Sequence, residues 1–268
     1  MKGKVVIITG ASSGIGLALV RQCAEQGCRI VMAARNESKL TELVQELKEK
    51  NVEAIAVKAD VSDEEDCKKI IRTAVDNFST VDVLINNAGI SMRAIFEELD
   101  LNVMRSLMNT NFWGTVYCSK YALPYLLKSK GSVVGVSSIA GYMGLPGRTG
   151  YSASKFAMHG FLETLRTETL YQGLHVLIAC PGFTASNIRN SALAKDGSQQ
   201  GESPRKEEKM MSAEEVAERI MKSVKKRKRT LVMTSTGKMS VLLRKFFPAF
   251  IDKQAYKMMK NEPDSPLK

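Results

Sequence analysis

Histidine is almost absent from this chain. His159 and His175 are the only two in 268 residues, and no His, Cys, Asp or Glu cluster has ligand spacing, so no metal site is expected. The five cysteines (Cys23, Cys28, Cys67, Cys118, Cys180) include no Cys-x-x-Cys pair. Each falls in an apolar or helical run, which reads as a reduced core residue of a cytoplasmic protein rather than part of a disulfide frame. Long apolar runs are missing too: none reaches the roughly eighteen residues needed to cross a bilayer. The N-terminal MKGKVVIITG enters an apolar strand at once and lacks the ordered basic, apolar and small-residue regions of a signal peptide. Repeats, low-complexity tracts and linkers are likewise wanting. With 44% hydrophobic residues, the chain is expected to fold as one large α/β domain.

The net charge of +11 is unevenly placed. Residues 1–204 carry 22 Lys and Arg against 20 Asp and Glu, whereas residues 205–268 carry 17 against 8. Basic character therefore belongs to the tail, and no nucleic-acid-binding module accompanies it. The expected division is a body over 1–236 and a basic, apolar tail over 237–268.

Short β-branched runs alternate with helical patterns along the body. The runs KVVIIT, RIVMAA, AIAVKAD, VDVLIN, SVVGVS and HVLIAC each read as a buried strand, and TLVMT adds a seventh. Helices fall between them, one of them long, over about 101–128. Strand and helix alternating with short connections predict a doubly wound, Rossmann-type parallel sheet covered by helices on both faces. The polar segment 183–211 breaks this rhythm. It follows a strand ending in Pro181-Gly182, so it leaves the carboxyl edge of the sheet and reads as a substrate lid. Ser212 then caps a helix, with Glu215 in capping-box position.

Two stretches carry chemistry. The first strand ends in Thr9-Gly10-Ala11-Ser12-Ser13-Gly14-Ile15-Gly16 and opens directly into a helix. Glycines there let the backbone approach a pyrophosphate, and the helix N-terminus supplies amide donors and a positive dipole. The second strand ends at Arg35 with no acid until Glu37; a guanidinium at that point favours the 2′-phosphate of NADP over the ribose diol of NAD. Further on, Tyr151 and Lys155 are spaced i, i+4 on a helix, which stacks an ammonium beside a phenol. Such a charge favours the phenolate, so the Tyr151 pKa is expected to fall below its usual ~10 and to suit proton exchange with a carbonyl or an alcohol. Ser138 ends the apolar run VVGVSS, where a strand would deliver its hydroxyl to the same place.

Five motifs occur together and in order: the TGASSGIG turn, Asn86-Asn87-Ala88-Gly89, Asn111-Phe-Trp-Gly, the Ser138/Tyr151/Lys155 spacing, and Pro181-Gly182. Over about residues 3–190 the chain resembles the short-chain dehydrogenase/reductase family, in its Asn-Ser-Tyr-Lys branch. The resemblance implies that Tyr151 is the acid/base, that Lys155 holds the nicotinamide ribose and lowers the Tyr151 pKa, and that Ser138 orients the substrate oxygen. It implies that Asn111 anchors a water relaying protons to Lys155. For the cofactor it implies Gly10, Ser12, Ser13, Gly14, Ile15 and Gly16 at the turn and Arg35 at the second strand. Asp60 and Val61 would meet the adenine, Asn87, Ala88 and Gly89 the adenosine ribose side, and Pro181 and Gly182 the nicotinamide. Many NADP-preferring members carry a second basic residue where this chain has Ser13. The family's threonine near the nicotinamide amide is matched by Thr184 or by Ser186.

The function so implied is an NADP(H)-dependent oxidoreductase acting on a small or lipophilic carbonyl or alcohol, as a homodimer or homotetramer. Its rivals are a cofactor-binding regulatory or scaffold protein and an epimerase or dehydratase on the same fold. The intact tetrad argues against the first, and the roughly eighty residues after Pro181 argue against the second. In the tail, Val241, Leu242, Leu243, Phe246, Phe247, Phe250 and Ile251 are interspersed with lysines and arginines and broken at Pro248. That pattern over 238–260 fits a membrane-surface helix and, equally, a subunit-packing tail.

Overall fold

In the computed structural model, residues 1–184, 188, 191–201 and 210–267 are described. Seven parallel strands form one sheet: β1 (Val5–Thr9), β2 (Arg29–Ala34), β3 (Ala54–Lys58), β4 (Val83–Asn86), β5 (Ser132–Val136), β6 (His175–Cys180) and β7 (Thr230–Val232). Their spatial order is β3-β2-β1-β4-β5-β6-β7. The seven expected strands are all present.

The strands read as unbroken apolar runs because both faces are covered. Val6 and Ile8 of β1 point to a layer that holds Leu19 and Val20 of α1 (Gly14–Glu25), Leu40 of α2 (Glu37–Glu49) and Ile220 of α7 (Ala213–Lys225). Val5 and Ile7 point the other way. They meet Ile70 of α3 (Glu64–Phe78), Ala122 of α5 (Gly114–Lys128) and Leu162 of α6 (Thr149–Glu168). Helix starts follow from side-chain caps: Asn36, Asp63 and Ser212 each accept a hydrogen bond from a first-turn amide. Ser212 takes that of Glu215, as expected, while the Glu215 carboxylate turns to Arg219.

The expected long helix spans α4 (Leu101–Leu107) and α5, but a π-helical segment, Met108–Trp113, joins them. A π turn holds one residue more than an α turn, so the faces before and after it are offset. Asn111 lies within it, fully buried.

Of the expected lid, residues 191–201 lie across the carboxyl edge of the sheet. Leu193 exchanges backbone hydrogen bonds with Ser91 and Arg93 (both 2.9 Å), and Asp100 donates to the Lys195 carbonyl at 2.9 Å. Ser186 and residues 202–209 are outside the described residues. The tail forms α8 (Ser235–Arg244) and α9 (Pro248–Lys260), parted near Pro248, which opens the second helix. Ile251 and Ala255 of α9 pack on Met143, while Leu242, Phe246, Phe247 and Phe250 are exposed among basic residues. No helix among the described residues is long and apolar enough to cross a membrane.

Candidate active site

The sheet order reverses between β1 and β4, so the chain leaves their carboxyl ends in opposite directions and opens a crevice there. A cavity of about 820 Å³ occupies it. Thr9 stitches the two strand ends together. Its hydroxyl oxygen accepts from the backbone amides of Asn87 and Ala88 (both 3.0 Å), and Asn87 Nδ2 donates to the carbonyls of Thr9 (2.9 Å) and Gly10 (3.2 Å). Only glycines permit this closeness. Gly10 has φ +65°, and a Cβ there would lie 2.9 Å from Ala88 Cα. At Gly16 a Cβ would lie 2.0 Å from the Gly10 carbonyl oxygen.

The first turn of α1 faces the cavity with Gly10, Ser12, Ser13, Gly14 and Ile15 in its wall. Unlike the caps of α2, α3 and α7, the N-cap Ser13 makes no side-chain hydrogen bond to the first-turn amides. Those donors, at the positive end of the helix dipole, suit an anionic pyrophosphate. Gly16 lies beneath the turn and supports it by close packing rather than by lining the cavity. The remaining wall on this side includes Arg35, Asp60, Val61, Asn87, Ala88 and Gly89. The Arg35 side chain is 73% exposed, and its Nη1 is 3.9 Å from Asp60 Oδ2, a loose contact. Asp60 is engaged more firmly by Ser62, whose amide and hydroxyl donate at 2.9 and 2.7 Å.

Ser138, Tyr151, Lys155, Pro181 and Gly182 line the same cavity. Ser138 follows β5 in extended conformation, accepts from the Ala140 amide at 3.2 Å and lies near enough to the Tyr151 phenol to favour its ionised form. One helical turn beyond Tyr151, Lys155 is buried. Its Nζ donates to the Val136 carbonyl at 3.0 Å and stands 5.7 Å from the Tyr151 ring centre. Asn111 does not reach the cavity. Its Oδ1 accepts from the Ile90 amide at 2.8 Å, and its Nδ2 donates to the Ile90 carbonyl at 3.0 Å and to Ser154 Oγ at 2.9 Å. Gly89 separates it from Lys155: a Cβ there would be 3.1 Å from Asn111 Oδ1 and 3.6 Å from Lys155 Nζ.

The electrostatics correct one expectation. The Tyr151 pKa is raised, not lowered, because burial of the phenolate outweighs both the Ser138 hydroxyl and the nearby Arg148 charge. Burial acts on Lys155 as well and brings its pKa down to about 8. A desolvated lysine yields its proton before it can pull down a neighbour's.

Three supporting groups escaped the sequence reading. Thr9 looked like the last residue of a strand. Arg148, buried at the start of α6 and part of the cavity wall, donates to Ser91 Oγ (3.2 Å) and the Met92 carbonyl (3.4 Å). His159, one turn past Lys155, pairs with Ser137 Oγ at 2.7 Å and takes the Tyr142 ring edge-on at 4.6 Å. Burial, assisted by the Lys155 charge, holds its pKa at about 4, so it is neutral at pH 7. A buried histidine one helical turn from a lysine carries a spacing signal, but nothing in the sequence says which group it meets. Among the described residues no His, Cys, Asp or Glu group could hold a metal ion.

This parallel sheet, with an uncapped glycine turn at its switch point, is a Rossmann-type nucleotide-binding fold. The family model described as short chain dehydrogenase matches residues 4–197. The chain belongs to that family. It is 36% identical over 258 residues to a protein of Arachis hypogaea named 11-beta-hydroxysteroid dehydrogenase A, covering 93% of this chain and 74% of that one. A protein of Arabidopsis thaliana named 11-beta-hydroxysteroid dehydrogenase 1A is 40% identical over 190 residues, 69% of this chain. The match spans about half of that longer relative, 54%. Among solved structures, an alcohol dehydrogenase from Thermococcus sibiricus complexed with 5-hydroxy-NADP superposes with TM-score 0.77 at 26% identity, covering 87% of this chain and 96% of that one. A short-chain dehydrogenase/reductase from Burkholderia phymatum in complex with NAD shares the fold, with TM-score 0.82 at 24% identity over 94% and 95% of the two chains.

The lysine shift has a measurable sign. The folded pKa of about 8 lies below the unfolded 10.5, so the cost of burying the ammonium is fully present below about pH 8 and is relieved as pH rises towards 10.5. Lys155→Met should therefore be more stable than the wild type at pH 7, by at most about 3 kcal/mol. Urea unfolding at pH 7 and 9.5 should show that margin shrinking; a margin independent of pH would place the ammonium in solvent.

Proposed function

We propose that this protein is an NADP(H)-dependent oxidoreductase that interconverts a carbonyl and a secondary alcohol on a small or lipophilic substrate. The observation that carries the reading is Tyr151, sharing a cavity wall with Ser138 and the α1 glycine turn and stacked above Lys155. Names of relatives support it: two act on hydroxysteroids by name, and a solved neighbour is an alcohol dehydrogenase bound to an NADP derivative.

The glycine turn and the α1 amides would hold the pyrophosphate, Arg35 the 2′-phosphate, Asp60 and Val61 the adenine, and Pro181 and Gly182 the nicotinamide end. When bound, the nicotinamide exchanges a hydride with the substrate carbon. The protein handles the proton. At neutral pH the raised Tyr151 pKa keeps the phenol protonated, which is the form that can donate to a carbonyl oxygen gaining negative charge. Ser138 orients that oxygen, Lys155 offsets the phenolate left behind, and the phenolate is then reprotonated from solvent, while Asn111 holds the Ile90 backbone next to Gly89 and Lys155. A cavity whose substrate side offers Ile90, Val103, Leu145, Phe183 and Leu193 suits an uncharged, apolar molecule.

Finer assignments go with this reading. Reduced, buried cysteines fit the cytosol. Exposed Trp113 and Phe156, on the long helices, fit subunit pairing. The exposed apolar edge of α8 and α9, flanked by lysines, fits contact with anionic lipid. Cosedimentation with phosphatidylserine-containing vesicles at low salt should pellet the protein, and a protein left in the supernatant would remove the lipid contact.

The central test follows NADPH absorbance against ketones, aldehydes, quinones and steroid ketones. The wild type should consume NADPH with at least one of them, and Tyr151→Phe should lose about 10²-fold or more of that rate while keeping NADPH affinity. NADPH binding without turnover across the panel would favour the scaffold reading instead. For the cofactor, Arg35→Asp should weaken NADPH by about tenfold or more and spare NADH. Equal loss for both would make Arg35 structural.

A further inference from the structure

The C-terminal segment does not line the cavity, yet it grips both loops that form its substrate side. Arg93 belongs to the loop leaving β4, whose Ile90 and Ser91 are in the cavity wall. Its guanidinium is turned away from the cavity, buried, and 3.6 Å from the carboxylate of Glu262, beyond the end of α9; the two side chains are only 7% and 3% exposed. The same guanidinium donates to the Pro263 carbonyl. The second loop follows Ser138. There Met143 packs on Ile251 and Ala255 of α9, and Leu145, itself in the cavity wall, joins that cluster. A Cβ on Gly147 (φ +70°) would meet Pro266 Cγ at 3.2 Å. The two loops are also joined to each other, because Ala94 donates to the Gly147 carbonyl at 3.0 Å and Arg148 to Ser91 and Met92.

An exposed ion pair holds little, whereas a buried one fixes a single docking geometry, because either charge alone would be stranded without solvent. We propose that residues 248–267 are a strap that sets the shape of the substrate side. In it, Arg93 and Glu262 are positioning residues that clamp the loop carrying Ile90 and Ser91 against the loop carrying Leu145. The contacts of the strap fall on Arg93, Met143, Leu145 and Gly147, whereas the glycine turn, Arg35 and Asp60 lie at the other end of the crevice. Substrate fit should therefore depend on the strap and cofactor affinity should not.

The test is hydrogen–deuterium exchange on the full chain carrying Glu262→Gln, beside the milder Glu262→Asp in case the first does not fold. Exchange at amides in 90–95 and 142–148 should rise about fivefold or more, with β1 and the glycine turn unchanged. No change in those two loops would overturn the proposal, and so would a uniform rise including β1 and β4, the mark of plain destabilisation. The charge-exchanged double variant, Arg93→Glu with Glu262→Arg, should restore part of the protection. A kinetic arm rests on the oxidoreductase reading: with acetophenone, KM should rise about tenfold while kcat and NADPH affinity hold. A protein that reduced no carbonyl would defeat that reading alone, because the exchange measurement needs no turnover.

Discussion

Both faces of the sheet are spent on burial, and the rest of the molecule answers to that. With Val5 and Ile7 sealed under one helical layer and Val6 and Ile8 under the other, the inner strands β1, β2, β4, β5 and β6 offer no side chain to solvent except at their ends. Chemistry is thereby confined to the carboxyl edge, and the reversal of strand order between β1 and β4 determines where along that edge a crevice opens. Apart from Tyr151 and Lys155, which α6 carries in, the site is built from residues just past a strand: Gly10 after β1, Arg35 after β2, Asp60 after β3, Asn87 after β4, Ser138 after β5 and Pro181 after β6. Thr9 and Asn87 lock the two ends on which the crevice depends.

The proton-handling pair shows how far burial can reverse a simple pairwise argument. In water, an ammonium one helical turn away would draw a phenol's pKa down. Here both groups are desolvated, and each is pushed towards its neutral form: Tyr151 keeps its proton and Lys155 tends to lose one. His159, next along the same helix, follows the same rule and is neutral. The interior face of α6 thus presents three titratable side chains in succession, all biased against charge. On the oxidoreductase reading the phenol stands ready as an acid, while Lys155, with a pKa of about 8, still carries its charge at pH 7 and can offset the phenolate left behind.

Much of this was legible in the sequence. Alternating apolar runs and helical periods specified seven strands and their parallel order, because a strand buried on both faces has no alternating pattern to hide. The glycine turn, Arg35, Ser138, Tyr151, Lys155 and Pro181-Gly182 could be located because each lies at a strand end or on a helix of clear period. What could not be read depends on contacts between distant segments. The π segment around Asn111 leaves no compositional mark, since its extra residue shows only as an offset between two faces. The pKa of Tyr151 is decided by what covers it, which spacing cannot report. Nothing in the sequence around Arg93 or Glu262 marks the two as partners, because only the folded chain brings them together.

The chain is made from its N-terminus, and that order separates the two halves of the crevice in time. The β1 turn can close against β4 once Asn87 exists, so the turn that faces the pyrophosphate draws only on the first third of the chain. Arg93 must wait for Pro263, 170 residues later, before its guanidinium has a carbonyl to meet. Contacts so widely separated in sequence form slowly. The contact that fixes the substrate side thus spans 170 positions and the one that closes the glycine turn only 78, so the turn is the earlier of the two to take shape.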